Sequence, residues 1–314
     1  MDIPIPYLEY FGLTEKPFGL TPDPHFYFET ETHREALAHL RFLLGQKEGF
    51  ALIYGDVGLG KTTLSRIFLS SLDRDMYNTA LILNPIMDER EFLVAILKEL
   101  GLEAKGATKR ELFDGLQRFL LEEHRNGRET VLAIDEAQLL SNELLELIRI
   151  LSNIETEKEK MLRIVLLGQP ELVQKLKEPQ VRYLSQRITV TYRLKPFSER
   201  EIGLYINYRL VKAGSKGFPD FKKNAVRRIF RASRGCPRLV NILSDRCMLA
   251  LYSRSKESVD KQIVDDVLAE ENTPFASIDG DAPSTRGYRV VVLSLIGLVL
   301  ILFAAFFANL IGYW

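Results

Sequence analysis

A glycine-rich segment at positions 55–62 constrains the fold of this 314-residue chain more than any other feature. It reads Gly-Asp-Val-Gly-Leu-Gly-Lys-Thr and matches the pattern G-x-x-x-x-G-K-[ST]. An apolar run, FALIY, precedes it, and a pattern with helical periodicity follows it. Strand, loop and helix in this order predict a phosphate-binding loop, in which successive backbone N–H groups face a phosphate at the positive end of the helix.

The side chains of this loop have separate predicted roles. Lys61 is expected to reach the β- and γ-phosphates of ATP, and the Thr62 hydroxyl is expected to bind Mg²⁺. The full set of predicted nucleotide-binding residues is Gly55, Asp56, Val57, Gly58, Leu59, Gly60, Lys61, Thr62 and Thr63. ATP and Mg²⁺ are therefore the expected ligands of this segment.

Two adjacent acids follow a second apolar run, at 131–134. Acid pairs are usually solvated surface, but a pair at the tip of an apolar strand in a chain with a phosphate loop favours a catalytic role. Asp135 is expected to hold the hydration shell of Mg²⁺ together with Thr62. Glu136 is expected to orient and polarise a water molecule for attack on the γ-phosphate.

The region up to residue 196 alternates short apolar runs with amphipathic stretches. Strands are predicted at Phe50–Tyr54, 79–83, 131–134, 163–167 and, with a more alternating pattern typical of a strand nearer the sheet edge, 187–194. Helices are predicted at 61–72, 88–100, 109–125 and 141–154. Continuous apolar strands separated by helices are typical of a parallel sheet that is covered on both faces.

Beyond Pro196 only helical patterns remain. We therefore expect an α/β nucleotide-binding domain at 1–196, followed by a small all-helical lid domain at 197–271. The composition, 46% hydrophobic and 27% charged, is that of a globular protein and excludes a chain that is disordered throughout. Two cysteines, Cys236 and Cys247, are too few to cross-link a chain of this size, which favours a reducing compartment.

The carboxy-terminal part of the sequence has the composition of a membrane anchor. Residues 290–313 carry no charge and are mostly apolar, so 289–313 is predicted to be one transmembrane helix after a linker at 272–288. Arg286 and Arg289 lie on the entry side, and no signal peptide precedes the first domain. These features predict a single-pass protein of the inner (cytoplasmic) membrane with its amino-terminal domains in the cytoplasm.

Five segments in order resemble the AAA+ ATPases, and specifically the family of general secretion pathway protein A. They lie at 10–28, 49–63, 134–138, 166–172 and 235–243, and so cover essentially all of the chain before the linker. The resemblance implies an ATP hydrolase that works as a homo-oligomer, either a ring or a dimer. Its expected partners are membrane proteins of an envelope secretion apparatus, of the type II or the exopolysaccharide and exosortase kind.

The resemblance also assigns roles to four further residues. Gln169 is similar to sensor 1, which helps to place the attacking water, and Arg238 is similar to sensor 2, an arginine of the lid that contacts the γ-phosphate. Arg187, or alternatively Arg182, would be the finger that reaches the nucleotide of a neighbouring subunit. The aromatic and proline-rich stretch at 10–28 would wrap the adenine pocket, although the same rings could simply fill the core.

Two other functions stay open at this point. One is a DNA-associated ATPase of the transposition-regulator type, which would use the basic run at 222–234 to bind DNA. The same run could instead meet anionic lipid headgroups, or could be an ordinary solvated helix face. The neutral net charge, with 42 basic and 42 acidic residues, argues against nucleic acid as the main partner. A nucleotide-dependent membrane scaffold with little turnover is the other alternative. Relatives of the secretion branch continue into a periplasmic peptidoglycan-binding domain, whereas this sequence ends at Trp314, so direct cell-wall contact is not expected.

Overall fold

The computed structural model describes residues 5–45, 49–104, 108–155 and 160–270. The helices are α1 Pro6–Tyr10, α2 Glu31–Gly45, α3 Lys61–Ser70, α4 Glu89–Glu99, α5 Lys109–Arg125, α6 Asn142–Leu151, α7 Pro170–Lys175, α8 Arg182–Ser185, α9 Glu199–Lys212, α10 Lys223–Ser233, α11 Pro237–Ser253 and α12 Lys261–Ala269. The strands are β1 Phe50–Tyr54, β2 Tyr77–Ile82, β3 Glu129–Ile134, β4 Leu162–Gly168, β5 Ile188–Arg193, β6 Asp220–Phe221 and β7 Ser258–Val259. Residues up to Val264 group into one compact unit.

A five-stranded parallel sheet forms the centre of this unit, with the strand order β2-β3-β4-β1-β5. All five predicted strands are present, and β5 lies at an edge as its alternating sequence indicates. The central strand β4 is buried along its whole length, because helices cover both faces of the sheet. The predicted α/β fold with a parallel sheet is confirmed.

Successive side chains of the strands enter two different apolar layers. Leu52, Ile164 and Leu166 join the layer that contains residues of α4, α5 and α6. Ile53 and Leu167 join the layer that contains residues of α2 and α3. This two-residue alternation is what a strand buried on both faces requires, and it fixes the register of the sheet.

Local sequence signals set the starts of several helices. Asp88, Thr108 and Ser198 each accept a hydrogen bond from the backbone N–H three residues later, and a glutamate side chain there bonds back to the capping residue. The four helices predicted in the α/β region are present, and α5 has the predicted bounds. Helix α2 was not predicted.

The prediction that the region after Pro196 is all helical is wrong in one respect. Strands β6 and β7 form a two-stranded parallel ladder that pairs Asp220 with Ser258 and Phe221 with Val259. Each strand has only two residues, which is too short to produce a periodic pattern in the sequence. The ladder joins the segment before α10 to the segment after α11.

The segment at residues 5–28, here called the amino-terminal strap, is fastened to α9 and α11. We call the part of the chain from α9 to α11, residues 199–253, the lid region. The Tyr7 hydroxyl donates a hydrogen bond to Asp245 in α11, and Lys16 forms an ion pair with the same carboxylate at 2.7 Å. The Thr14 backbone N–H donates to the Ala213 carbonyl at 2.8 Å, just after α9. The strap therefore packs against α9 and α11 rather than extending away from the domain.

The helices of the described residues are each too short or too polar to cross a bilayer. The predicted linker at 272–288 and the predicted span at 289–313 lie outside the described residues.

Candidate functional site

The glycine-rich loop connects the end of β1 to the start of α3, as the sequence predicts. Gly58 and Gly60 adopt the left-handed conformation, with φ of +81° and +90°, which other residues adopt only with strain. Gly60 is the residue that caps the amino terminus of α3. The turn points the first backbone N–H groups of this helix at the loop, where they can bind an anion.

Gly58 also lies against the first turn of α11. A Cβ atom at this position would lie 2.8 Å from both Arg238 Cβ and Cys236 Sγ. The Arg238 backbone N–H donates to the Gly58 carbonyl at 3.4 Å, and the Cys236 thiol donates to the Val57 carbonyl at 3.4 Å. The phosphate loop is thus in direct contact with the lid region, and a side chain at position 58 would separate them.

Lys61 is buried, and its side chain folds back against the backbone of the loop. Its ammonium group donates to the Gly55 carbonyl at 2.8 Å and to the Asp56 carbonyl at 3.0 Å. Burial lowers the pKa of Lys61, while the charges of Glu136 and Asp135 act in the opposite direction. A phosphate oxygen can take the place of these carbonyl acceptors, and it would also compensate the buried positive charge.

Thr62 and Asp135 are joined directly. The Thr62 hydroxyl donates to Asp135 Oδ2, and the Glu136 backbone N–H donates to Asp135 Oδ1 at 2.9 Å. Burial raises the pKa of Asp135, and these two hydrogen bonds lower it in part. A hydroxyl and a carboxylate side by side are the hard oxygen donors that Mg²⁺ prefers, so the predicted pair fits this ion.

The Glu136 side chain is held by two glutamines. Gln138 Nε2 donates to Glu136 Oε2 at 2.6 Å, and Gln169 Nε2 donates to the same oxygen at 3.3 Å. The Gln138 carbonyl oxygen accepts a hydrogen bond from the Gln169 backbone N–H at 3.0 Å, which closes the triangle. Gln138 was not assigned a role from the sequence, whereas the structure places predicted Gln169 beside predicted Glu136.

Glu136 has an unusual backbone conformation, with φ of +48° and ψ of +36°. A glutamate in the left-handed region costs about 1 kcal/mol or more relative to the right-handed one. This conformation turns the chain directly after β3, and the side chain of Glu136 lines the same cavity as the phosphate loop.

A cavity of about 340 Å³ lies between the phosphate loop, the strap and the lid region. The predicted site residues that line it are Val57, Gly58, Leu59, Gly60, Lys61, Thr62, Thr63, Glu136 and Arg238. Asp135 and Gln169 contact this set through Thr62 and Glu136. Gly55 and Asp56 contribute carbonyl oxygens to Lys61 from behind the loop. The structure therefore brings together all of the predicted residues except the arginine finger.

Aromatic residues line the end of the cavity formed by the strap. Phe26 is buried, and Tyr27 and Phe28 are half-buried beside the ring of Phe197. The Tyr27 hydroxyl is shielded from solvent without a hydrogen-bond partner among the described residues, and burial raises the pKa of Tyr27 to about 12. A flat apolar slot with one unused polar group suits the face and edge of a purine base.

Arg209 connects the strap to the lid helices at this end. Its side chain donates to the Pro17 carbonyl and, at 2.7 Å, to the Tyr205 hydroxyl, which donates to Asn241 Oδ1 at 2.9 Å. Its guanidinium carbon lies 4.7 Å from the centroid of the Phe26 ring. Sequence reasoning missed this network, since an arginine in an amphipathic helix is usually solvated.

His33, which was also missed, lies between the strap and the phosphate loop. It is buried at the start of α2, and its Nδ1 is 2.8 Å from the Thr30 hydroxyl. A Cβ at Gly60 would lie 3.5 Å from His33 Nε2, so the ring backs the loop directly. Burial lowers the pKa of His33, while the backbone of Leu59 and the charge of Glu201 oppose this shift.

The two finger candidates lie away from the cavity. Arg187 directly precedes β5, at the amino end of the parallel strands, whereas the phosphate loop follows the carboxyl end of β1. Its guanidinium donates to the Ser152 hydroxyl at the end of α6. Arg182 is exposed at the start of α8. The structure does not bring either residue to the site of its own chain.

Comparisons with known proteins agree with this geometry. Residues 44–176 match the family described as AAA domain. General secretion pathway protein A of Aeromonas hydrophila is 42% identical over 254 residues, or 81% of this chain. Residues 44–176 therefore belong to the AAA family, and the chain is related to general secretion pathway protein A over most of its length. It spans 46% of the length of that relative.

Solved structures show the same AAA+ fold. The ORC2 protein of Aeropyrum pernix, in its ADPNP–ADP complexes, gives a TM-score of 0.60 at 16% identity, over 82% of this chain and 71% of that one. The Holliday junction branch migration motor RuvB of Thermotoga maritima gives 0.56 at 20% identity, over 82% and 74%. At these identities the likeness concerns the fold alone.

Proposed function

We propose that this AAA+ protein is a membrane-anchored ATPase that hydrolyses ATP to assemble or energise a cell-envelope secretion apparatus. The observation that carries the enzymatic part is that Lys61, Thr62 and Glu136 line one cavity, with Asp135 hydrogen-bonded to Thr62 behind it. The name of the Aeromonas hydrophila relative supports the link to secretion.

The residues at the loop would bind the triphosphate. Lys61 would exchange the carbonyls of Gly55 and Asp56 for phosphate oxygens, and the N–H groups at the start of α3 would hold the β-phosphate. Thr62 and Asp135 would hold Mg²⁺, which when bound supplies positive charge against the phosphate oxygens. The rings of the strap would cover the adenine base.

Glu136 would act on the attacking water. Its Oε2 is occupied by Gln138 and Gln169, which leaves Oε1 to accept a hydrogen bond and then a proton from the water. The same two amides hold the carboxylate group in one orientation. The Glu136 side chain has therefore already lost its rotational freedom when the reaction begins. Gln169 would thereby serve the role implied by its likeness to sensor 1.

The lid region would respond to the nucleotide through Arg238. This residue is exposed at the rim of the cavity and forms no ion pair with any described residue, so its charge is available to the γ-phosphate. A contact made with ATP and lost with ADP would shift the position of α11. In a homo-oligomer, Arg187 would reach the nucleotide of the neighbouring subunit, which makes turnover depend on assembly.

The membrane and partner assignments rest on the sequence. The uncharged run at 290–313 would hold the protein at the inner membrane, with the AAA+ domain in the cytoplasm. Membrane proteins of a type II or an exopolysaccharide and exosortase system would receive the lid movement. Recovery of the full chain from cell membranes after carbonate washing tests the anchor, and recovery in the wash contradicts it.

The Glu136→Gln variant tests the enzymatic proposal. The amide keeps the shape of the site and cannot accept a proton, so Mg²⁺-dependent ATP binding should persist while phosphate release falls by about a hundredfold or more. Glu122→Gln, an exposed change of the same kind in α5, should leave both unchanged. Equal and slow phosphate release by the parent chain and Glu136→Gln would instead identify a nucleotide-dependent scaffold.

A further inference from the structure

Helix α10 and its two ends concentrate positive charge. The segment at 222–234 contains Lys222, Lys223, Arg227, Arg228, Arg231 and Arg234, and it contains no aspartate or glutamate. The whole chain is balanced, with 42 basic and 42 acidic residues, so this surplus is local. The ATPase site does not use any of these side chains.

Three of the cations form a row, slightly inclined to the helix axis, on the solvent side of α10. Lys223, Arg227 and Arg231 are spaced by four residues, about 6 Å along the helix axis per step, and all three are exposed. Ala225 and Ile229 are buried on the opposite side. We call these three residues the basic stripe; exposed Lys222 and Arg234 extend it at its two ends.

Most of this charge is not neutralised within the described part of the chain. Lys223 and Arg231 form no ion pair with any described residue. Arg227 pairs with Glu199 at 3.2 Å, but both side chains are exposed, and such pairs exchange readily for other partners. The stripe therefore presents a positive potential to whatever approaches the outer face of the lid region.

We infer that the basic stripe is a docking surface for an anionic phospholipid bilayer. The inference rests on the membrane anchor proposed above. An amphipathic helix with a cluster of lysine and arginine on its polar face attracts acidic headgroups at close range. Of the anionic partners that such a surface could bind, the apolar run at 290–313 favours a bilayer, because it is predicted to place the chain at a membrane.

The proposed anchor would hold the basic stripe near a bilayer. Residues 272–288, which contain glycine, proline and serine, are predicted to link the two parts of the chain. A domain tethered to a membrane meets the bilayer at a high effective concentration, so a modest attraction is sufficient for binding. The acidic lipid content of the bilayer would then determine whether the domain is bound to the membrane surface or moves freely on its tether.

Docking at the stripe would act on the nucleotide site through a short connection. Helix α10 ends at Ser233, and the Ser233 carbonyl accepts a hydrogen bond of 2.9 Å from the Cys236 backbone N–H. Cys236 contacts the phosphate loop, and Arg238 follows two residues later. A bilayer that holds α10 would therefore restrain the turn that carries Arg238.

Amine footprinting of the full chain in lipid nanodiscs tests the inference. Nanodiscs of phosphatidylcholine are compared with nanodiscs that also contain phosphatidylglycerol, and labelling of each lysine is read by mass spectrometry. Labelling of Lys222 and Lys223 should slow by about tenfold with the acidic lipid at low salt and recover at high salt. Lys109, exposed at the start of α5, is the internal reference and should not change.

Charge-reversal variants locate the effect. Arg227→Glu with Arg231→Glu should abolish the protection of the two lysines, while Arg227→Lys with Arg231→Lys should keep it. The matched control, Arg110→Glu with Arg118→Glu on the exposed face of α5, has the same change in net charge and should also keep it.

The outcomes separate the two proposals. A chain that inserts into the nanodiscs but is labelled equally with and without acidic lipid overturns the docking surface alone. A chain that stays outside the nanodiscs overturns the anchor, and this inference with it. Protection of the same lysines by a DNA duplex, but not by phosphatidylglycerol, assigns the stripe to nucleic acid and also overturns the inference.

Discussion

The side-chain amide of Gln138 donates a 2.6 Å hydrogen bond to Glu136 Oε2. The side chain of Gln138 is fixed in turn, because its carbonyl oxygen accepts a hydrogen bond from the Gln169 backbone N–H. Gln169 lies between β4 and α7. The orientation of the predicted general base thus depends on a residue whose described hydrogen bonds go to neither the phosphate loop nor the expected Mg²⁺ ligands Thr62 and Asp135. Gln138 is a positioning residue, so its substitution should affect turnover without affecting nucleotide binding.

Gln138→Ala should lower kcat by about tenfold and leave KM for ATP unchanged. The carboxylate loses its shorter hydrogen bond and rotates more freely, while the cavity keeps its lining. Steady-state phosphate release as a function of ATP concentration measures both constants. Gln117→Ala, on the exposed side of α5, is the control and should have no effect. A rise in KM with unchanged kcat would show that Gln138 serves binding instead.

The sequence predicts the linear motifs of this site well and its tertiary contacts poorly. Lys61, Thr62, Asp135 and Glu136 are found because each lies at a fixed place relative to a strand end. Gln138 is missed because the contact that fixes its side chain, with the Gln169 backbone, spans 31 residues, and no spacing rule connects the two. His33 and Arg209 are missed for the same reason, since their role comes from which segments pack around them.

Gly58→Ala should weaken ATP binding as well as destabilise the fold. A residue with a side chain at φ of +81° costs about 1 kcal/mol, and the new Cβ would press on Arg238 and Cys236 at 2.8 Å. Gly127→Ala is the matched control, because Gly127 has φ of +77° and open space around it. Both variants should lose a similar part of their free energy of unfolding to backbone strain.

Only Gly58→Ala should also lose about tenfold in ATP affinity, because its clash separates the loop from α11 and costs a further 1–3 kcal/mol or so. Urea unfolding measures the first effect and titration with a fluorescent ATP analogue measures the second. Equal ATP affinity in the two glycine variants would mean that the contact between Gly58 and Arg238 is dispensable.

His33 should make the fold less stable in acid. Its pKa is lowered in the folded protein, so the unfolded chain binds the proton more readily. The stability from neutral His33 is complete above the ordinary value of 6.5 and is lost as the pH falls through the lower folded value. In His33→Gln this acid-dependent loss of stability should disappear, because the amide side chain does not titrate.

Urea unfolding of both chains across the acid range measures this difference. His39→Gln, at an exposed position of the same helix, should keep the slope of the parent chain. If His33→Gln keeps it too, other groups set the acid response.

Arg187→Ala should leave ATP affinity unchanged and reduce turnover by about a thousandfold, as expected for an arginine that acts on a neighbouring subunit. Arg187 lies at the opposite end of the strands from its own phosphate loop, bonded to Ser152, so its loss should not disturb the cavity. Phosphate release at matched protein concentrations measures the effect. If Arg182→Ala loses turnover and Arg187→Ala does not, Arg182 is the finger.

Mixing provides the stricter test of Arg187. Glu136→Gln subunits have an intact finger and a defective site of their own, whereas Arg187→Ala subunits have the reverse. Mixed oligomers should therefore regain part of the turnover that both variants lack alone. No recovery, in mixtures that gel filtration shows to be assembled, would contradict a finger in trans.

The fold itself was predictable where apolar runs are long enough to carry a period. The central strands of the sheet were found because burial on both faces makes them continuously apolar, as in fully buried β4, whereas β5 was found by its alternating pattern. The ladder of β6 and β7 was not, because two residues per strand give no pattern. In α2 the buried positions 36, 37, 40 and 43 do follow helical spacing, but polar Thr32 and His33 are also buried and apolar Phe42 is exposed, which weakens the signal.

The strap has a consequence for any shortened form of the protein. Its first helix is hydrogen-bonded to Asp245, and its middle is hydrogen-bonded to Arg209 and Asn241. The strap therefore packs as one layer with α9 and α11. Deleting residues 5–28 would leave the buried guanidinium of Arg209 without one of its two acceptors and open the purine end of the cavity to water. Deletion of the strap would therefore weaken nucleotide binding, even though every residue of the phosphate loop is retained.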